Sequence, residues 1–144
     1  MLTDLAEANI AEIQTGKLAL EKSKNDKVKA FAQQMVDDHT KALSELQTLA
    51  QSKGVKLPDD TDLQHKAMAT ALKALSGDAF DAQYMKRVGV GDHQRTVKLL
   101  QKVQKDAKDA DMKAMAAKML PTVQQHLHTA EQTAGAGTSA AAKK

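Results

Sequence analysis

The sequence predicts an all-α fold, a four-helix bundle with a long helical crossover between its second and third helices. Three observations predict it. Aromatic residues are scarce, with two Phe, one Tyr and no Trp, while Ala, Leu, Lys, Gln and Met, which favour helix over strand, are frequent. Apolar residues recur at spacings of three and four along four long stretches, as they do on the buried face of a helix. Asn25, "GVKLPDD" and "KDAKDAD" supply turn signals between those stretches.

The first helix is expected from about Thr3 to Lys24, on the recurrence of Leu5, Ala8, Glu12, Ile13, Gly16, Ala19 and Leu20. Asn25 ends it and caps the second helix, which continues to about Ser52 before Gly54. So short a connection makes the two antiparallel. In the second helix Val28, Ala32, Met35, Val36, His39, Leu43 and Leu46 form one stripe, which puts His39 in line with the apolar residues. "GVKLPDD" then reads as a turn and "TDLQHKAMATALKAL" as a shorter helix. Together they can carry the chain back along the bundle.

Ser76 is placed to cap the third helix, which carries Phe80, Tyr84, Val88, Leu99, Leu100 and Val103 towards "KDAKDAD". A phase change interrupts it: Phe80, Tyr84 and Val88 read one face, but His93, Val97 and Leu100 read a face rotated by about 100°. One residue must be absorbed between Val88 and His93. The glycines of "VGVGD" favour a π-bulge there over a break near Gly89 or Gly91. The fourth helix aligns Met112, Met115, Ala116, Met119, Val123, His126, Leu127 and Ala130, with Pro121 expected to bend it. Two hairpins joined by a crossover are the ferritin-like arrangement of a four-helix bundle.

At 144 residues the chain fits one domain with a real core. That domain is assigned to residues 1–134, and "GAGTSAAAKK", residues 135–144, reads as a disordered tail. The formal charge of +3 comes from lysines interleaved with acids, without a dense basic block or aromatic platforms, so nucleic acid is not an expected partner. No stretch approaches the roughly 20 apolar residues of a membrane span. "MLTDLAEANI" lacks the pattern of a signal peptide, which leaves a mature form with its export signal removed as an expectation. An exposed helix face leaves a homodimer open.

Four polar side chains are expected to share one layer. Glu12 lies 13 residues before the hairpin tip at Asn25 and His39 lies 14 after it; His93 lies 16 before the tip at Asp109 and His126 lies 17 after it. Left unpaired, each would cost roughly 1–3 kcal/mol. They must therefore bond to one another, to water, to a small ligand or to a metal. Glu12, His39, His93 and His126 suit one divalent ion such as Zn²⁺, Fe²⁺ or Cu²⁺. The alternative is a structural polar layer in which Glu12 accepts bonds from His39 and its neighbours.

A di-iron oxidase would need Glu-x-x-His on two helices, but the positions three before these histidines hold Val36, Val90 and Val123. Asp38 and Asp92, each beside a histidine on its helix, point about 100° away and are expected in solvent or helix contacts. His126 and His128 face opposite sides of a helix and cannot chelate together. The Met112, Met115 and Met119 stripe is expected as core, His65 as a surface or lid contact, and Asp81 with Tyr84 as a structural corner. No nucleophile with a nearby base and no Gly-rich phosphate loop is present.

"VKAFAQQMVDDHTKALSELQTLA", "SGDAFDAQYM", "DHQRTVKLLQK" and "MLPTVQQHLHTA" resemble the bacterial exported family known as domain of unknown function 4142. The resemblance spans about Leu5 to Ala134. It implies a ferritin-like bundle in the periplasm or outer envelope, with no established activity. Three functions stay open: a non-catalytic envelope protein whose cluster binds a metal or ligand, with a role in stress tolerance; a structural or protein-interaction module; and a metal-dependent redox enzyme.

Overall fold

The computed structural model describes the backbone of residues 1–143 and the side chains of residues 1–134, so the side chains of the expected disordered tail, 135–144, lie outside the described residues. The helices are α1 (Leu2–Lys22), α2 (Asp26–Ser52), α3 (Leu63–Lys73), α4 (Gly77–Gln83), a π-helical segment (Tyr84–Asp92), α5 (His93–Asp106) and α6 (Ala110–Lys143). The rod formed by α4, the π segment and α5 is the third long helix, so the described residues form a four-helix bundle with α3 as the crossover. No strand occurs among the described residues, and none of their helices is long and apolar enough to cross a membrane.

Local chemistry sets the ends. The Asn25 side chain accepts from the backbone N–H groups of Lys27 and Val28, giving α2 its N-cap. Ser76 takes the equivalent position before α4 but makes no side-chain cap bond, a departure from its expected role. Gly77, with φ of 57°, turns the chain out of the crossover. The α5–α6 tip lies at the far end from Asn25: Lys53, just after α2, reaches Asp109 at 2.6 Å and Asp111 at 3.2 Å. The crossover therefore returns the chain to the Asn25 end, which sets the two hairpins level. α6 continues through Pro121.

The helix face of α1 is rotated slightly from the expected stripe. Ala8, Ile13 and Leu20 are only partly buried, while Asn9 and Thr15 point inward. Gly16 accounts for the closeness of α1 to α2, since a Cβ there would stand 2.9 Å from Val36 Cγ2.

Two apolar clusters fill the bundle. One, near the Asn25 end, joins Ala19, Val28, Phe31, Met35, Phe80, Tyr84 and Val88. The other, near the Asp109 end, joins Leu5, Leu46, Leu100, Val103, Met119 and Val123. Each buried side chain of this size contributes about 1.5–3 kcal/mol. The clusters can therefore carry a polar layer between them that costs about 1–3 kcal/mol for each unpaired group.

Candidate metal centre

The phase change in the third long helix is resolved by the π segment, whose wider turn admits the extra residue and rotates α5. That rotation brings His93 inward. Glu12, His39, His93 and His126 are all buried, with exposures of 3%, 4%, 1% and 1%. They lie between the two apolar clusters, His93 meeting Phe31 edge-on with ring centroids 6.1 Å apart.

The three histidines converge. Their ring centroids are 5.6 Å apart for His39–His93, 5.2 Å for His39–His126 and 5.5 Å for His93–His126. One nitrogen from each ring lies within 4.8 Å of the other two. No carboxylate joins this group among the described residues.

Each ring is held through one nitrogen and left free at the other. His39 Nδ1–H donates to Asn9 Oδ1 at 2.8 Å, and the Asn9 amide is fixed in turn by donating to the Leu5 carbonyl at 2.8 Å. His93 Nδ1–H donates to the Val88 carbonyl at 2.9 Å, a bond five residues back that the π segment makes available. His126 Nε2–H donates to the Asp38 carboxylate at 2.7 Å, across from α6 to α2. His39 Nε2, His93 Nε2 and His126 Nδ1 have no hydrogen-bonding partner among the described residues. An acceptor on one ring nitrogen fixes the proton there and leaves a lone pair on the other. Each ring thus keeps one lone pair, and the three rings meet around one small volume.

The electrostatics keep those lone pairs open. Burial pushes His39 well below the usual histidine range, assisted by His93 and His126. Burial likewise takes His93 down to about 4 against the opposing pull of the Val88 carbonyl, and lowers His126 against the opposing Asp38 carboxylate. All three rings are neutral near pH 7, the form that ligates a metal.

Glu12 sits beside the triangle. Its Oε1 is 3.7 Å from His93 Nδ1, the nitrogen already held by Val88, and its Oε2 has no partner among the described residues. Burial, then the Asp92 charge, raises its pKa well above the carboxylate range. His39 bonds to Asn9 rather than to Glu12, contrary to the expected structural layer.

Asp38 and Asp92 make helix contacts. Asp92 is buried, accepts from Arg95 Nη1 at 2.7 Å and lies 3.6 Å from His65 Nε2. His65 is pinned from its other side by Asp62, so the crossover is latched to the end of the π segment. Tyr84 stacks on Phe80 at 5.8 Å, and its hydroxyl and Asp81 Oδ1 lack partners among the described residues. Met112, Met115 and Met119 pack in or against the cluster near the Asp109 end, and His128 is exposed. Asn9 and Asp38 complete the centre, and neither was expected there; Asn9 carried a signal in its spacing of four from Leu5 and three to Glu12.

Solved structures share this bundle. A fragment of a DUF305 protein from Deinococcus radiodurans superposes with a TM-score of 0.82 at 14% identity, over 93% of this chain and 92% of its own. CopM in its Cu(II)-bound form gives 0.76 at 17% identity, over 93% of each chain. A conserved hypothetical protein from Mycobacterium tuberculosis gives 0.72 at 17%, over 94% of this chain and 88% of its own. At such identities the likeness is one of fold. Comparison with curated proteins gives no match. The family profile described as "Domain of unknown function (DUF4142)" matches residues 1–133, and the chain belongs to that family.

Proposed function

We propose that this protein binds one divalent transition-metal ion through His39, His93 and His126, as a non-catalytic ferritin-like protein of the bacterial envelope that holds the ion as part of stress tolerance. One observation carries the reading: one nitrogen from each of three buried imidazoles lies within 4.8 Å of the other two, and each ring is fixed by an acceptor at one nitrogen and has no partner at the other. A purely structural layer has to satisfy three lone pairs with water, and each one left bare costs about 1–3 kcal/mol. A bound ion satisfies them together.

Imidazole ligands suit Zn²⁺, Cu²⁺, Ni²⁺ and Fe²⁺, with Cu²⁺ bound most tightly at a given site. Metal–nitrogen bonds of about 2.0–2.1 Å in tetrahedral geometry set the nitrogens about 3.4 Å apart. Closing from within 4.8 Å takes small rotations of the rings. Glu12, on the far nitrogen of His93, stands outside the ligand set. The copper in the CopM structure belongs to that protein; a bundle of the same fold holding Cu(II) is compatible with the reading.

The test is chelator competition with Cu²⁺ and with Zn²⁺ at neutral pH. We expect one equivalent bound with Kd below about 1 µM, lost in His39→Leu and His126→Leu variants that retain the far-UV helical signal. Binding that survives both substitutions, or a Kd weaker than about 1 mM, overturns the proposal.

A further inference from the structure

We infer that the ion reaches the three histidines through the cleft between α2 and α6, and that this cleft, rather than the hollow beneath the crossover, is the route of exchange. The inference rests on the metal reading and adds its path. The cleft has a volume of about 140 Å³, enough for several waters. His39 and His126, two of the three candidate ligands, line it, and both carry a buried ring nitrogen without a partner.

Asp38 joins the outside to the inside. Its side chain is 38% exposed, lines the cleft and holds His126 at 2.7 Å. A cation in the cleft meets this carboxylate before it meets a ring. Glu45 and Lys118, also on its lining, bridge the cleft with a salt bridge of 3.0 Å, and Lys118 is largely exposed. Exposed pairs of this kind are weak, at about 0–1 kcal/mol, and open readily.

The competing hollow lies among α1, the crossover and α5. Its lining includes Asp62, His65, Asp92 and Leu99 but none of the three candidate ligands. His65 bridges towards Asp62 and Asp92 across it. Asp62, His65, Asp92 and Arg95 are occupied with one another.

Two variants of the full chain separate the routes. Thr122→Trp places a large ring on the exposed wall of the α2–α6 cleft, and Leu99→Trp does the same in the other hollow. In stopped-flow mixing with Cu²⁺, Thr122→Trp is expected to slow association and dissociation alike by about tenfold or more, leaving Kd within about threefold; Leu99→Trp is expected to change neither rate. Slowing by Leu99→Trp, or no slowing by Thr122→Trp, overturns the inference. A second measurement needs no metal: diethyl pyrocarbonate acylates neutral imidazole nitrogens, and peptide mapping should show His39 and His126 protected by Thr122→Trp alone. Equal acylation in Thr122→Trp and the parent chain also overturns the route. A chain that takes up no copper removes the metal reading, and the route is then judged on acylation.

Discussion

Replacing Asn9 by Ala removes the acceptor that holds His39 Nδ1–H at 2.8 Å. Both residues are buried, at 2% and 4% exposure, so solvent is poorly placed to substitute. A buried donor left without its partner costs about 1–3 kcal/mol, and the lost Asn9 bond to the Leu5 carbonyl adds little because that carbonyl keeps its helical partner. Metal-free Asn9→Ala should therefore lose about 1–3 kcal/mol in urea unfolding. The effect on metal is separate. Without Asn9 the His39 proton is free to sit on Nε2, the nitrogen required as ligand, and loss of such an outer-shell partner typically costs 10–100-fold in affinity, roughly that range here for Cu²⁺ in chelator competition. Asn9→Asp restores an acceptor and should recover the affinity. Stability within about 0.5 kcal/mol of the parent, together with unchanged copper affinity, would refute the assigned role of Asn9 and the fixed tautomer of His39.

Three further outcomes follow from the same geometry. Unfolded histidines take up protons below about pH 6.5 while the buried rings resist, so metal-free stability should fall as pH drops from about 6.5 towards 4; His93, moved down to about 4, accounts for about 3 kcal/mol by itself. Glu12 opposes this, because its folded form keeps a proton that the unfolded chain loses above about pH 4.5. Three rings outweigh one carboxyl, and a urea midpoint at pH 5 equal to or above that at pH 7 would contradict the assignment. Gly89→Ala should destabilise by about 1–3 kcal/mol, since its Cβ would meet Ala130 Cβ at 3.1 Å and Met85 Cε at 3.2 Å. Gly91→Ala meets only the Lys86 carbonyl at 3.5 Å and should be neutral or stabilising by up to about 1 kcal/mol; thermal unfolding of the pair in the reverse order would be wrong for this packing. His65 is held up to about 9 by Asp92 and then Asp62, so its contribution, complete below about pH 6.5, is lost as pH rises through 9. Hydrogen exchange in α3 should accelerate over that window in excess of the chemical rate, and uniform protection from pH 6 to 10 would exclude the latch.

The site was legible in the sequence to the extent that helix periodicity carries it. His39 and His126 each interrupt an apolar stripe, and near-equal distances from a tip set His39 level with Glu12, at 14 and 13 residues from Asn25, and His126 level with His93, at 17 and 16 residues from Asp109. The phase change after Val88 was equally readable, and the π segment at Tyr84–Asp92 is its physical form. What periodicity does not carry is the rotation of α1, which close contact at Gly16 and the packing of its neighbours help to set, so Asn9 took an inward place read as belonging to Ala8. Nor does it show which nitrogen of a ring is held. Asp38 was set aside because it points about 100° from His39, and that same angle lets it reach His126 on a different helix. Glu12 was placed in the right layer, but its side of His93 depends on side-chain direction, which no spacing fixes. The missing cap bond at Ser76 is local geometry of the same kind.

The most direct measurement is the crystal structure of the copper-loaded protein, with anomalous differences collected across the copper edge. One interior peak is expected, bonded at about 2.0 Å to Nε2 of His39, Nε2 of His93 and Nδ1 of His126, with Asn9, Val88 and Asp38 still holding the opposite nitrogens. Anomalous density only at surface residues, or an interior layer whose rings bond to one another around no peak, would contradict it.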